Sequence, residues 1–178
     1  MKIAVYCSAR TGLPDQVIAD ARELGEEIGR NGDTLVYGGL EMGLMDVTAT
    51  AVSRAGGKVT GVVPQTRAAR QHPANTVSIH VSTLHERKQI MEEKADIFIA
   101  LDGGYGTLDE IMSALASMSF FNEPKPLLIL NRDNLYTPLR DMMREMTARG
   151  LMHPEILGRI TFHPNIRSLI EHLKTLHS

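Results

Sequence analysis

The chain contains no tryptophan, only four tyrosines and four phenylalanines, and a single cysteine, Cys7. A surface that stacks nucleobases needs aromatic side chains in number, so nucleic acid bound in that way is excluded. One cysteine cannot build an internal disulfide framework. At the end of an apolar N-terminal run, Cys7 is expected to be a small buried hydrophobe rather than a nucleophile. Positive charge is not in excess either: 19 Lys and Arg face 21 Asp and Glu, for a net charge of −2. No basic stripe is present to neutralise a duplex, so nucleic acid is not an expected partner. No apolar run approaches the ~20 residues needed to cross a bilayer. The segment Met1–Tyr6 enters a strand with no apolar leader, so no membrane partner is expected and the cytoplasm is the expected location. The seven histidines are scattered. His80, His85 and His163 are expected in solvated positions rather than as zinc ligands. Neither a metal nor an organic cofactor is expected.

What the chain does have is 178 residues, 43 % of them hydrophobic, enough for one domain over residues 1–178 with a sizeable core. Short apolar runs alternate with amphipathic ones. Strands are expected at Lys2–Tyr6, Thr34–Tyr37, Lys58–Val63, Thr76–Val81, Asp96–Leu101, Pro126–Leu130 and Arg159–Phe162. Helices are expected at Pro14–Arg30, Gly43–Ala55, Thr83–Lys94, Thr107–Phe121, Leu135–Arg149 and Asn165–Leu176. The stretch Gln65–Asn75, with Arg67, Arg70 and His72, reads as the one long irregular and mobile loop. This alternation predicts an α/β domain, a parallel sheet with helices on both faces. Ligands of such sheets bind beyond the carboxyl ends of the strands. That edge collects Cys7–Gly12, Gly38–Met45, Ser82–Lys88 and Asp102–Glu110.

One of these segments, Leu101-Asp102-Gly103-Gly104-Tyr105-Gly106-Thr107-Leu108-Asp109-Glu110, joins an apolar strand to a helix through three glycines. The first amides of a helix have no partners within it, and the helix dipole favours an anion there. Glycine lets the backbone approach a phosphate closely. The loop matches neither the Walker pattern nor G-x-G-x-x-G. It also has a purely structural reading, a capping box in which Thr107 caps the helix and Glu110 returns to it. Both readings stand at this level. A second glycine turn, Gly38-Gly39, lies on the same edge, which favours a nucleotide-sized ligand. Arg87 and Lys88 place two cations early in a helix, where the dipole disfavours them. A local rule broken at a ligand edge hints at function. Arg87 has the planar fork that grips phosphate or sugar oxygens. The plainer reading is a solvated face, with Glu86 or Glu92 as its partner.

These motifs resemble the LOG ("lonely guy") family, long labelled lysine decarboxylases. Its hallmarks are P-G-G-x-G-T-x-x-E and an upstream R-K pair, here Asp102–Glu110 and Arg87-Lys88. The resemblance extends over Val36-Tyr37-Gly38-Gly39, Gly43-Leu44-Met45, Gly61-Val62-Val63-Pro64 and Lys125-Pro126. Aspartate stands at position 102 where the family has proline. Asp46 stands where glycine is usual, and Ser8-Ala9-Arg10 replaces a Gly-Ser-Ser type of run. The resemblance implies a Rossmann-like fold and phosphoribohydrolase activity on a nucleoside 5′-monophosphate, best known for cytokinin ribosides. It implies Arg87 and Glu110 as the catalytic pair. Phosphate and substrate binding would fall to Lys88, Gly103, Gly104, Tyr105, Gly106 and Thr107, with Gly38, Gly39 and Ser8 around them.

The resemblance also implies a homodimer. The sequence agrees in having more apolar residues on two helices than one buried stripe requires: Ile111, Met112, Leu115, Met118, Phe120 and Phe121 on one, Met142, Met143 and Met146 on the other. Part of that surface is expected to bury against a second subunit. The basic Gln65–Asn75 loop is expected to help complete the partner's pocket.

Overall fold

The computed structural model describes residues 1–65, 70–123 and 125–177. Its apolar runs form strands β1 (Lys2–Tyr6), β2 (Thr34–Tyr37), β3 (Lys58–Pro64), β4 (Val77–Val81), β5 (Ile97–Ala100), β6 (Leu127–Leu130) and β7 (Ile160–His163). The helices are α1 (Asp15–Arg30), α2 (Gly43–Arg54), α3 (Leu84–Lys94), α4 (Tyr105–Phe121), α5 (Thr137–Ala148), the short α6 (Pro154–Leu157) and α7 (Ile166–Thr175). All seven strands pair in parallel in the order β4-β3-β2-β1-β5-β6-β7. Ile3 of β1 lies between Leu35 of β2 and Ile97 of β5. The chain winds outward in one direction from β1 and in the other from β5. A crevice therefore opens between the loops that follow these two strands, at the point where ligands of such sheets bind.

Alternation along each strand builds two cores. Ile3 and Val5 pack with Leu24 and Ile28 of α1, Leu44 and Val52 of α2, and Leu169 and Leu173 of α7. Ala4 and Tyr6 face the other way, with Met91 of α3, Ile111 and Leu115 of α4, Met143 of α5 and Ile156 of α6. The α/β domain with helices on both faces is as expected. On the first face α1 and α2 meet through small residues. A Cβ on Gly25 would lie 2.7 Å from the Ala51 Cβ, and one on Gly29 would lie 2.5 Å from the Ala55 Cβ.

Three local expectations need correction. Helix α4 begins at Tyr105, two residues before Thr107. The short helix α6 has no counterpart in the sequence reading, because one turn is too short to show a period. The stretch expected to be mobile is tied down over 70–75. Glu41 N donates to Arg70 O, His72 N to Gly39 O, and Arg70 pairs with Glu41 at 2.8 Å. Arg67 lies outside the described residues.

Candidate active site

Helix α3 starts at a capped end in which Thr83-x-x-Glu86 does most of what a capping box would, except that Glu86 returns to the residue before the cap. Thr83 accepts from the amide of Glu86 at 3.1 Å, and a Glu86 carboxylate oxygen accepts from the amide of Ser82 at 2.9 Å. With its start satisfied in this way, α3 carries Arg87 and Lys88 as its fourth and fifth residues. Arg87 turns inward. Its Nε donates to the carbonyl of Val62 on β3 at 3.2 Å, and its Nη2 lies 3.8 Å from the sulfur of Met45. Its Nη1 lies 3.6 Å from Oε1 of Glu110. Neither Glu86 nor Glu92 is its partner. Glu92 is taken up by the hydroxyls of Ser113 and Ser117. The absence of a side chain at Gly38 now has a cause, since a Cβ there would sit 1.5 Å from Arg87 Nη2. Gly38 seats the guanidinium.

The start of α4 differs from a capping box. Gly104 occupies the N-cap position and no side chain caps the helix. Thr107 is instead buried inside the first turn, packed so tightly on Gly103 that a Cβ there would meet its Oγ1 at 2.0 Å. Gly104 and Gly106 border open space. The amides of Gly104, Tyr105, Gly106 and Thr107 are thus the unpaired donors of this helix start, facing a space that an anion can enter.

Glu110 stands on the second turn of the same helix, its side chain 12 % exposed. Burial pushes its carboxyl up to about 7, against the opposing pull of Arg87, and Asp109 adds to the rise. Its contact with Arg87 is longer than a hydrogen bond, so the carboxylate keeps its lone pairs for another donor. A carboxylate that titrates near neutrality in a cleft is the ordinary signature of acid–base work.

A cavity of about 290 Å³ joins these groups. Its wall contains Ser8, Gly38, Arg87, Lys88, Gly104, Tyr105, Gly106, Thr107 and Glu110. Two residues expected there are not on it. Gly39 forms a turn at φ +75°, where a Cβ would meet Val63 Cγ2 at 2.6 Å and Gly61 at 3.1 Å. Gly103 faces Thr107 and a neighbouring cavity. Lys88 is engaged by both oxygens of Asp109, at 2.7 and 2.8 Å. Cys7 also lines the cavity, and burial first, then the Glu110 charge, pushes its thiol far up. It is protonated at neutral pH, in keeping with a hydrophobic role. Sequence reasoning missed Arg10 and Asp109 as wall residues. The departure Ser8-Ala9-Arg10 was the available signal for the first.

The 70–75 segment supports the second glycine turn. His72 is buried and accepts from the amide of Ala74 through Nδ1, which leaves its Nε2 to donate to Asp46 at 2.8 Å. Tyr37 donates to Asn75 at 2.7 Å, and Asn75 donates to Gly39 O at 3.2 Å. The aspartate at position 46 thus has a purpose, which is to anchor the segment that braces the turn. Far from the site, His163 is not solvated but half-buried, with its Nε2 3.2 Å from Nδ1 of His172. Burial and His172 lower it to about 4. Among the described residues no group of three His, Cys, Asp or Glu side chains is placed to hold a metal.

A parallel sheet with an uncapped helix start and a buried carboxylate at its switch point defines an α/β protein with an open, polar cleft at that edge. The comparisons narrow this class. The profile of the family described as "Possible lysine decarboxylase" matches residues 45–173. A rice protein named "Probable cytokinin riboside 5'-monophosphate phosphoribohydrolase LOGL2" is 35 % identical over 97 % of this chain and 72 % of its own length. The rice "Cytokinin riboside 5'-monophosphate phosphoribohydrolase LOG" is 36 % identical over 95 % of this chain and 71 % of its own. The chain belongs to the LOG family.

Among solved structures, the molybdenum cofactor binding protein of Rippkaea orientalis is 23 % identical, with a TM-score of 0.77 over 99 % of this chain and 97 % of its own. The molybdenum cofactor carrier protein of Chlamydomonas reinhardtii is 22 % identical, with a TM-score of 0.78 over the same shares. At these identities the likeness concerns the fold. No helix among the described residues is long and apolar enough to cross a membrane.

Proposed function

We propose that the protein hydrolyses the N-glycosidic bond of a nucleoside 5′-monophosphate, giving a free base and ribose 5-phosphate. The observation that carries this reading is the Glu110 carboxylate, buried, titrating near neutrality and placed one turn from four unpaired amides. In this reading the amides of Gly104–Thr107 bind the phosphate and fix the ribose relative to Glu110. As the bond from C1′ to the base nitrogen breaks, its electrons leave with the base and positive charge develops on the ribose. Glu110 faces that charge and takes a proton from the attacking water, whose hydroxyl bonds to C1′. The departing base nitrogen takes up a proton from solvent and Glu110 gives its own back, so one water is consumed. Arg87, clamped by Val62, holds substrate oxygens in place. The names of the 33–36 % identical relatives support the same chemistry and point to a cytokinin riboside 5′-monophosphate; an AMP-like nucleotide is the other substrate of this reading.

Decarboxylation fits the site poorly. Pyridoxal phosphate chemistry needs a free lysine amine, whereas Lys88, the one lysine on the cavity wall among the described residues, is held by Asp109. The same fold also serves in carriers, as the two cofactor-binding neighbours show by name. A carrier would bind nucleotide and release no base. Incubation with a panel of nucleoside 5′-monophosphates, with free base assayed by chromatography, separates the two. Turnover should fall at least a hundredfold when the 5′-phosphate is removed, because phosphate binding positions the sugar. Equal rates for nucleoside and nucleotide would sink this assignment of the glycine loop.

We propose further that the protein works as a cytoplasmic homodimer. Ile111, Leu115, Met118 and Met143 are absorbed by the chain's own core, but Phe120 is 84 % and Phe121 66 % exposed, and Met112 and Met142 are exposed too. These side chains are the surface left to a second subunit. Light scattering at low micromolar concentration should give twice the chain mass. A monomer of full activity would refute it.

A further inference from the structure

The cavity over Glu110 is half of a larger crevice. On the other side of the Ser8–Arg10 loop lies a second compartment of about 470 Å³, which shares Ser8, Arg10 and Gly104 with the first. Its other walls include Leu13 and Gln16 beside α1, and Asp102, Arg132 and Leu135 beyond β5 and β6. The first compartment, at about 290 Å³, lies near the lower end of the ~300–1,000 Å³ usual for small-molecule sites. A ligand confined to it leaves the larger space unused.

Charge pairing shows what the crevice is built to meet. Four cations line the two compartments: Arg10, Arg87, Lys88 and Arg132. Arg87 faces Glu110, Lys88 is held by Asp109, and Arg132 is held by the buried Asp20 through Nε at 2.7 Å and also through Nη2. Arg10 alone has no carboxylate within ion-pair distance among the described residues. It is exposed, and it stands on the ridge between the compartments, lining both of them as the open Gly104 does. An uncompensated guanidinium beside free amides suits an anion larger than one phosphate, held across the ridge.

The far side of the ridge has different chemistry. Asp102 lines the second compartment. Its Oδ1 is closed off from the cavity, so the other carboxylate oxygen is the one left to meet a ligand. Burial raises its carboxyl above its ordinary value, Arg132 and a backbone hydrogen bond oppose this, and Asp20 and Asp133 add to the rise. Carboxylates at the switch point of a parallel sheet are suited to sugar hydroxyls.

We propose that the second compartment receives the distal sugar of a nucleoside 5′-diphosphate sugar, with the pyrophosphate lying across Arg10 and the open Gly104 and the sugar hydroxyls on Asp102. This rests on the reading of the glycine loop as a phosphate site and extends the substrate class beyond monophosphates. The test compares equilibrium binding of AMP, ADP and ADP-ribose to the Glu110→Gln variant, in which turnover does not intervene. ADP-ribose should bind at least tenfold more tightly than AMP, with ADP in between. Leu135→Trp, which fills the second compartment from its wall, should bring the ratio of ADP-ribose to AMP affinities close to one. If that variant fails to fold by circular dichroism, Gln16→Trp fills the same space from α1. ADP-ribose binding no tighter than AMP would overturn the proposal, and so would an unchanged ratio in a folded filling variant. Base release from AMP is measured separately on the native sequence. Its absence would remove the hydrolase reading and leave this comparison of affinities standing.

Discussion

Replacing Glu110 by glutamine should lower base release by at least a hundredfold and at the same time make the protein more stable above pH 7. The first effect follows from loss of a positioned acid–base group, worth roughly 10²–10⁴ in rate. The second follows from linkage. The carboxyl of Glu110 is near 4.5 in the unfolded chain and about 7 in the folded one. Between these values the folded state binds more protons than the unfolded state, so stability falls as pH rises through that window. Above pH 7 the full difference applies, on the order of 3 kcal/mol at ~1.4 kcal/mol per unit. Glutamine removes this penalty, so the variant should melt higher than the native sequence at pH 8 and nearly equal to it at pH 4. In the native enzyme kcat/KM should fall about tenfold per unit below pH 7 and level off above it. A merely structural Glu110 would give the opposite result, a loss of stability with an intact rate. Melting temperature and initial rate on one sample discriminate between them.

Arg87→Ala should also lose most activity, at least a hundredfold, and it should move the acid limb. Arg87 is the main influence holding the Glu110 carboxyl down against burial. Without it the limb should shift upward from about 7, a change that loss of substrate contact alone would not produce. Arg87→Lys is the sharper variant. The side chain of Arg87 is held by Nε to Val62 O while Nη1 faces Glu110, a division of labour that needs a planar fork. A lysine keeps the charge but cannot hold both places, so it should restore the pH limb largely and the rate little. Near-native turnover in Arg87→Lys would show that only charge matters at that position.

The alternation of apolar runs with amphipathic ones was enough to place every strand: the central ones are buried on both faces and have little else they can be, and the edge strand β4 showed through its own alternation of apolar and polar residues. The partners of the site residues were much less legible. Thr107-x-x-Glu110 has the spacing of a capping box, but Gly103 and Gly104 let the helix start two residues earlier. That turns Thr107 inward and frees Glu110 to face Arg87. Spacing along one helix cannot reveal that Arg87 would cross to α4 while Glu92, on its own helix, is occupied by serines of α4. Gly38 was read as making room for a ligand, but it makes room for an arginine. The clasp of 70–75 was hidden because Asp46, His72 and Asn75 lie far apart in the chain and meet only through the fold.

The small-residue contact between α1 and α2 bears on how the crevice can move. With Gly25 and Gly29 set against Ala51 and Ala55, the two helices have no slack in which to slide. Helix α2 in turn holds the loop after β1 through Leu44 N to Ser8 O at 2.9 Å, and carries Met45 to the guanidinium of Arg87. The β1–β2 side of the crevice is therefore a fixed jaw. Helix α3 is tied to the same jaw by Arg87, whose Nε is bonded to Val62 O. Any closing stroke over a ligand belongs to the opposite side, where Tyr105 at the start of α4 is 87 % exposed at the rim. Hydrogen exchange should then show ligand-induced protection at the start of α4, and amides in the body of α1 and α2 that are as slow without ligand as with it.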